Sequence, residues 1–132
     1  YWNPTTDVLT FKVSGLDTVV FTRVGLASKT ASLFDPQGMA APMTLKAKVK
    51  LRELQIQGLQ WTDEVIGEAE QWWKKWFETL KQLNDLEIPR CLFEREDFIV
   101  RTELHSFGDA SEEAYAAVVY LRNVYVDGTV LV

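Results

Sequence analysis

Cysteine and histidine are nearly absent from this sequence, in which Cys91 and His105 are the only residues of their types. One thiol excludes an internal disulfide framework and a cysteine-based zinc site. We therefore expect a reducing, intracellular setting, cytoplasmic or nuclear, and a buried or half-buried Cys91. No run of about 18 apolar residues is present, so no segment is predicted to span a membrane.

An initiator methionine and a basic leader are also lacking, since the sequence begins Tyr1-Trp2-Asn3-Pro4. It ends in a strand-like run at residues 128–132, and we expect both ends to be internal to a longer chain. Hydrophobic residues make up 47% and aromatic residues 12% of the 132 residues. This composition can fill a core, and the length fits one domain or pieces of two.

The net charge of −5 is unevenly distributed along the chain. Residues 23–61 carry six basic and two acidic residues, whereas residues 62–132 carry seven basic and fifteen acidic ones. A basic middle segment is what a phosphate-contacting surface needs, although a solvated basic face without such a role is equally compatible. The candidate nucleic-acid contacts are Lys29, Lys46, Lys48, Lys50 and Arg52.

The first third of the chain predicts a β-hairpin followed by a short helix. Residues 8–13 and 18–22 are rich in β-branched and aromatic residues and predict the hairpin. Residues 26–34 predict the helix, with Ser28 as a candidate cap. Asp35-Pro36-Gln37-Gly38 has the residue types of a turn.

Two longer helices are predicted next. Residues 42–57 alternate like a strand over part of their length, but they consist mainly of helix formers and precede Gly58, so we predict a helix. Residues 62–84 have apolar side chains at helical spacing, with Thr62 or Asp63 as the cap. Tryptophans at positions 72, 73 and 76 could stack on bases, but an aromatic stripe on an amphipathic helix more often forms core.

The last third predicts strands. An extended piece at residues 86–90 and a charged loop at residues 93–97 precede strands at residues 98–109 and 114–122. A third strand is predicted from residue 128.

Asp109 is the candidate metal ligand. It ends the predicted strand 98–109 and is followed by the small residues Ala110 and Ser111. A carboxylate at a strand end can hold a divalent cation, but Asp and Ser are also ordinary turn residues. In a strand His105 lies on the same face as Asp109, and a lone histidine is more often structural or solvated than catalytic.

The chain resembles part of the polyprotein of a BEL/Pao-type LTR retrotransposon, the region labelled as a Pao retrotransposon peptidase. The similarity follows nearly the whole chain in order. The motifs that carry it are Tyr1-Trp2-Asn3-Pro4 with Asp7, Phe11-Lys12-Val13, Ser32-Leu33-Phe34-Asp35-Pro36-Gln37-Gly38, Pro42 with Lys48, Trp61 with Asp63-Glu64, Trp73 with Trp76, Ile88-Pro89-Arg90, Leu104-His105, Phe107-Gly108-Asp109-Ala110-Ser111, Ala114-Tyr115 and Tyr120-Leu121-Arg122. Two positions depart from the pattern: Gly108 replaces a small polar residue, and Gln37 replaces a leucine.

The resemblance implies an α+β chain in three parts. Residues 1–22 would end a reverse transcriptase palm, residues 23–97 would form a helical thumb and connection, and residues 98–132 would begin a ribonuclease H-like fold. The partners would be a template–primer duplex or an RNA–DNA hybrid and the remainder of the polyprotein, in virus-like particles among other intracellular settings. Asp109 would match the first Mg²⁺ ligand of ribonuclease H. The other ligands would lie beyond residue 132, so the fragment alone is predicted to be inactive.

Two alternative functions stay open. These polyproteins also contain an aspartic peptidase, and Asp109-Ala110-Ser111 faintly resembles its Asp-Thr/Ser-Gly loop, although Glu112 follows where glycine is needed. The turn at residues 35–38 fits that loop no better. The other alternative is a non-catalytic nucleic-acid-binding or scaffold domain that uses the basic helix.

Overall fold

Helices and strands are both present, so the α+β prediction is confirmed. The computed structural model describes residues 1–91 and 98–132, and the loop predicted at residues 93–97 lies outside this described part. Two compact units divide the described chain. The first comprises Tyr1–Asn3 and Leu9–Ile88, and the second comprises Pro4–Val8 and Pro89–Val132.

A short hairpin opens the chain, but its strands differ from the predicted ones. Strand β1 (Trp2–Asn3) neighbours β2 (Val8–Thr10), which neighbours β3 (Glu87–Pro89). The pairing predicted between residues 8–13 and 18–22 was wrong, because the turn residues after Asn3 form the hairpin loop itself. Leu16–Thr18 instead forms a single 3-10 turn.

Helix α1 spans Arg23–Ala31 rather than residues 26–34. It begins earlier because the Thr22 hydroxyl accepts a hydrogen bond from the Gly25 N–H at 3.2 Å, which caps the helix. The predicted cap, Ser28, is an exposed residue inside the helix.

Helix α2 spans Ala41–Ile56, which confirms the helix predicted at residues 42–57. The carboxylate of Asp35 prepares its start: the two oxygens accept hydrogen bonds from the N–H groups of Met39 and Ala40 at 2.9 and 2.8 Å. Gly58 follows its end with φ at 89°, a left-handed conformation that glycine adopts without strain.

Helix α3 spans Gly67–Lys81 and is shorter at both ends than the predicted range 62–84. Asp63 does not cap it. One of its carboxylate oxygens accepts a hydrogen bond from the Gln60 N–H at 2.8 Å, which closes a turn before the helix. At the other end Gln82–Asp85 continues as a 3-10 turn.

The tryptophans of α3 belong to the core of the first unit, as predicted. Trp73 is fully buried and meets the ring of Trp76 edge to face at a centroid distance of 5.4 Å. The Trp76 Nε1–H donates to the Met43 carbonyl of α2 at 3.1 Å. The rest of the buried apolar cluster comprises Leu26, Ala40, Ala47, Leu54, Val65, Phe77, Leu80 and Leu83.

Helix α1 passes very close to the preceding chain at Gly25. A Cβ added there would lie less than 3.0 Å from the Val20 carbonyl oxygen, a distance that real Cβ atoms essentially never show. We expect Gly25→Ala to lower the free energy of unfolding by about 1–3 kcal/mol, because the backbone must shift. Urea denaturation followed by circular dichroism measures this change.

The sign of the Gly25→Ala effect is diagnostic. Glycine to alanine in an unobstructed helix interior stabilises by about 1 kcal/mol. The control is Ser28→Ala on an exposed turn of the same helix, where a change within about 0.5 kcal/mol is expected. A stabilised Gly25→Ala variant would show that the close approach does not exist.

The second unit contains a long antiparallel strand pair. Strand β4 (Ile99–Ala110) pairs with β5 (Tyr115–Tyr125), which pairs with the short β6 (Val130–Leu131). The strands predicted at residues 98–109 and 114–122 and the third strand from residue 128 are thereby confirmed, with β5 three residues longer at its end.

An ion pair joins distant parts of the second unit. The Arg90 guanidinium binds both carboxylate oxygens of Asp7 at 2.6 and 2.9 Å, and the Arg90 N–H donates to the Asp7 carbonyl at 3.0 Å. The hydrogen bond to Asp7, followed by the attraction between the charges, raises the pKa of Arg90 above its ordinary value. Asp7 itself has a positive φ of 54°.

Candidate functional site

Asp109 lies at the end of β4, where the sequence placed it. Its carboxylate is exposed, and one oxygen accepts a hydrogen bond from the Ala110 N–H at 2.9 Å. The turn that follows is organised by Ser111, whose Oγ accepts hydrogen bonds from the N–H groups of Glu113 and Ala114, both at 3.2 Å. The small-residue turn thus leaves the Asp109 side chain open to solvent.

The cross-strand register shows what surrounds Asp109. It pairs with Ala116, whose small side chain leaves space beside the carboxylate. Phe107 lies on the same face, and its ring meets that of Tyr120 edge to face at a centroid distance of 6.0 Å. Among the described residues, no basic side chain lies within 4 Å of the Asp109 carboxylate.

His105 shares the face of Asp109, as the strand period predicted, but it interacts elsewhere. Its Nε2 lies 3.1 Å from a carboxylate oxygen of Glu103. The same oxygen accepts a hydrogen bond from Arg122 at 2.7 Å, and Arg101 lies 2.9 Å from the other oxygen. His105 therefore belongs to a surface ion cluster centred on Glu103.

The cluster stabilises the charged form of Glu103. The hydrogen bond from His105, followed by that from Arg122, lowers the pKa of the Glu103 carboxyl below its ordinary value. A lowered carboxyl pKa in the folded state stabilises the fold above the unfolded pKa. This stabilisation is lost as the pH falls through the folded pKa.

A complete metal site is not present in the part of the chain that the structure describes, which holds no group of three or more His, Cys, Asp or Glu side chains suited to an ion. The carboxylate of Asp109 has the hard oxygen donors that Mg²⁺ prefers. One carboxylate does not satisfy the ligand count of a magnesium site, so Asp109 alone fits the role of a single ligand.

Helix α2 carries most of the predicted nucleic-acid contacts, and three of them are exposed to solvent. Lys46, Lys48 and Arg52 lie within 4 Å of no carboxylate among the described residues. Lys50 instead pairs with Glu53 at 2.7 Å and lies over the ring of Trp72. The exposed side of α2 is therefore basic and free of ion pairs at three positions.

The two other basic residues of the middle segment have structural partners. The Lys29 ammonium donates to the Ser14 carbonyl at 2.6 Å. Arg23 is buried, donates to the Leu59 carbonyl and stacks on the Trp61 ring at 4.2 Å from its centroid. The net charge of the segment therefore overstates the charge that faces solvent.

The expectation that Cys91 is buried or half-buried was wrong, because its side chain is exposed. Strand β3 ends at Pro89, so Cys91 follows the last residue of that strand. It is not part of the buried apolar cluster of the first unit.

A cavity in the first unit was not predicted from the sequence. It has a volume of about 260 Å³ and is lined mainly by apolar and aromatic residues. Its walls come from β1, β2, the turn before α2, and β3, so no local pattern in the sequence brings them together. The lining residues are Tyr1, Trp2, Leu9, Thr10, Phe11, Phe34, Asp35, Pro36, Gln37, Met39 and Ile88.

In the part of the chain that the structure describes, no helix has both the length and the apolar composition to cross a bilayer.

A protein-family model matches most of this chain. The model of a family described as Pao retrotransposon-like RNaseH-like domain matches residues 22–132. Neither a curated protein nor a solved structure matches the sequence significantly. The matched range includes all three helices, the β4–β5 pair and Asp109.

Proposed function

Because the chain belongs to the family of Pao retrotransposon-like RNaseH-like domains, we propose that it holds a nucleic-acid duplex for a retrotransposon reverse transcriptase/ribonuclease H polyprotein and supplies one metal ligand to it. The duplex is a template–primer or an RNA–DNA hybrid. In this proposal residues 1–22 end the polymerase palm, residues 23–97 form a thumb and connection, and residues 98–132 begin the ribonuclease H part.

The exposed basic side of α2 is the observation that supports duplex binding most directly. Lys48 and Arg52 are four residues apart, so they project from successive turns about 6 Å apart along the helix axis. Lys46, two residues before Lys48, is a third exposed cation of the helix, but it projects in a different direction from Lys48. The buried residues of this helix are Ala47 and Leu54, whereas all three cations are exposed to solvent.

Cations that face solvent without a paired carboxylate can neutralise backbone phosphates and release their counterions. Lys29 and Lys50 are less suited to this role, because each would first have to leave its present partner. The proposed contact set is therefore Lys46, Lys48 and Arg52, with Lys29 and Lys50 in secondary positions.

The test is the salt dependence of duplex binding. We expect the triple variant Lys46→Glu, Lys48→Glu, Arg52→Glu to bind an RNA–DNA hybrid more weakly. The slope of log affinity against log salt should fall by about 2–3, since each lost phosphate contact removes about 0.9. Fluorescence anisotropy of a labelled hybrid over a series of salt concentrations measures both quantities.

The matched control for this experiment is Lys75→Glu. Lys75 is an exposed lysine on α3 of the same unit, and its replacement should leave the slope nearly unchanged. The triple variant reverses three charges and the control reverses one. A change of slope in the control of about one third of that in the triple variant would show that binding follows net charge alone, and α2 would not be the duplex-binding surface.

Asp109 supports the second half of the proposal. Its exposed carboxylate lies at a strand end beside a small residue, where an ion and a phosphate could approach closely. When bound, Mg²⁺ supplies Lewis-acid chemistry and activates water for phosphodiester cleavage. Since the described residues provide one such ligand here, we propose that the 132-residue chain by itself does not cleave nucleic acid.

A further inference from the structure

The cavity of the first unit groups three exposed aromatic side chains. Phe34 is 80% exposed, Tyr1 71% and Trp2 56%, and all three line the same space of about 260 Å³. Large aromatic side chains are stabilised by burial, so their grouping around an open concavity is a feature of binding surfaces more than of cores.

Polar groups at the cavity are few and differ in their availability. Both carboxylate oxygens of Asp35 accept backbone hydrogen bonds, so they are already used in organising the start of α2. Gln37 is exposed and lines the cavity, and its amide offers both donors and an acceptor. Among the polar side chains of the lining, Gln37 is therefore well suited to recognise the edge of a ligand.

A positive charge lies beside the same cavity. The Lys12 ammonium is 5.6 Å from the centroid of the Tyr1 ring, which forms part of the wall. Lys12 itself is exposed. Aromatic walls, an amide at the lining and a cation at the side match the three parts of a nucleotide: its base faces, its base edge and its phosphate.

We propose that this cavity binds one unpaired nucleotide of a single-stranded nucleic acid. The base stacks on the aromatic walls, Gln37 bonds to its edge, and Lys12 attracts the adjoining phosphate. Stacking on aromatic side chains tolerates any base, while a glutamine amide pairs best with the donor and acceptor pattern of adenine. The proposal rests on the proposed function, because it assumes that the unit works on nucleic acid.

An apolar peptide is the competing occupant, and the charge distribution disfavours it. The backbone of an apolar peptide segment could hydrogen-bond to the Gln37 amide, but such a segment has no anionic group to meet the Lys12 charge. A nucleotide has a phosphate for Lys12, a base edge for Gln37 and a base face for the aromatic walls.

The experiment compares a short adenine oligonucleotide with an abasic strand that has the same number of phosphates, both titrated against the 132-residue chain. We expect the adenine strand to bind about 5- to 150-fold more tightly, the range that one base stacked on an aromatic side chain provides. Phe34→Ala should remove most of this difference in affinity between the two strands. The substitution should not change the fold, since Phe34 is 80% exposed. Ile56→Ala, an exposed apolar position that does not line the cavity, should leave the difference intact.

Two outcomes would overturn the proposal. One is equal affinity for the adenine and abasic strands. The other is displacement by a tryptophan-containing peptide but not by a dinucleotide, which would make the cavity a peptide site. Hybrid binding through α2 does not depend on Phe34, so a failure at the cavity with an intact salt slope would leave the proposed function standing.

Discussion

Replacing Trp73 by alanine is expected to lower the free energy of unfolding by about 3–5 kcal/mol, the range for truncating a large buried aromatic side chain. Trp73 is fully buried, and its ring contacts Trp72, Trp76 and Phe77. Alanine leaves a cavity beneath three aromatic rings that cannot all move to fill it. Urea denaturation followed by circular dichroism is the measurement, since α1, α2 and α3 all lie in the first unit.

Trp73→Phe is the informative control. Among the described residues, the buried Trp73 Nε1–H has no hydrogen-bond partner, so phenylalanine removes an unsatisfied donor while keeping an aromatic ring. The loss should be clearly smaller than for alanine. If Trp73→Ala cost less than about 1 kcal/mol, as exposed positions usually do, the tryptophan would not be a core residue.

If Asp109 is the metal ligand proposed above, Asp109→Asn is expected to lower Mg²⁺-dependent cleavage of an RNA–DNA hybrid at least about 100-fold in a reverse transcriptase/ribonuclease H polyprotein that contains this chain. Mutating a group that only orients a metal ligand typically lowers metal affinity or activity about 10- to 100-fold. The loss of a direct ligand should therefore lower activity by at least that factor. Asparagine keeps the shape of the side chain and removes its charge. Steady-state cleavage of a labelled hybrid, compared at several Mg²⁺ concentrations, gives the ratio.

His105→Ala is the matched control for Asp109→Asn. His105 lies on the same face of β4, but its side chain contacts Glu103, so cleavage should stay within a few-fold of the original rate. The 132-residue chain alone should show no cleavage with either residue at position 109. Hybrid cleavage by that chain, abolished by Asp109→Asn, would show that it holds a complete active site.

Much of the fold could be predicted from the sequence, since burial at helical spacing is a strong signal. The aromatic stripe of α3 and the strand pair β4–β5 each carry their pattern over many residues. Helix starts were predicted less well, because single hydrogen bonds decide them. Thr22 caps α1 although Ser28 was the predicted cap, and Asp63 forms a turn where a cap was expected.

The candidate sites also differ in whether a local sequence pattern reveals them. The position of Asp109 at a strand end could be predicted because one local motif places it, and its surroundings follow from strand pairing. The aromatic cavity was missed because β1, β2, β3 and the turn before α2 contribute to it from distant parts of the sequence. The net charge of residues 23–61 overestimated the positive charge at the surface, since the sequence does not show that Arg23 is buried.

Hydrogen bonds and an ion pair between the first 13 residues and residues 84–90 determine where the chain can be cut for expression. The Asn84 amide exchanges hydrogen bonds with the backbone of Val13 at 2.7 and 3.2 Å, and Arg90 clasps Asp7. The range matched by family similarity starts at residue 22 and omits both partners. A fragment that starts at residue 22 lacks β1 and β2, so the edge of β3 is left unpaired and Arg90 loses the Asp7 carboxylate. An unpaired strand edge favours aggregation during expression. The hydrogen bonds of the folded chain and its sequence similarity thus set different limits, and expression designs for this protein should follow the hydrogen bonds.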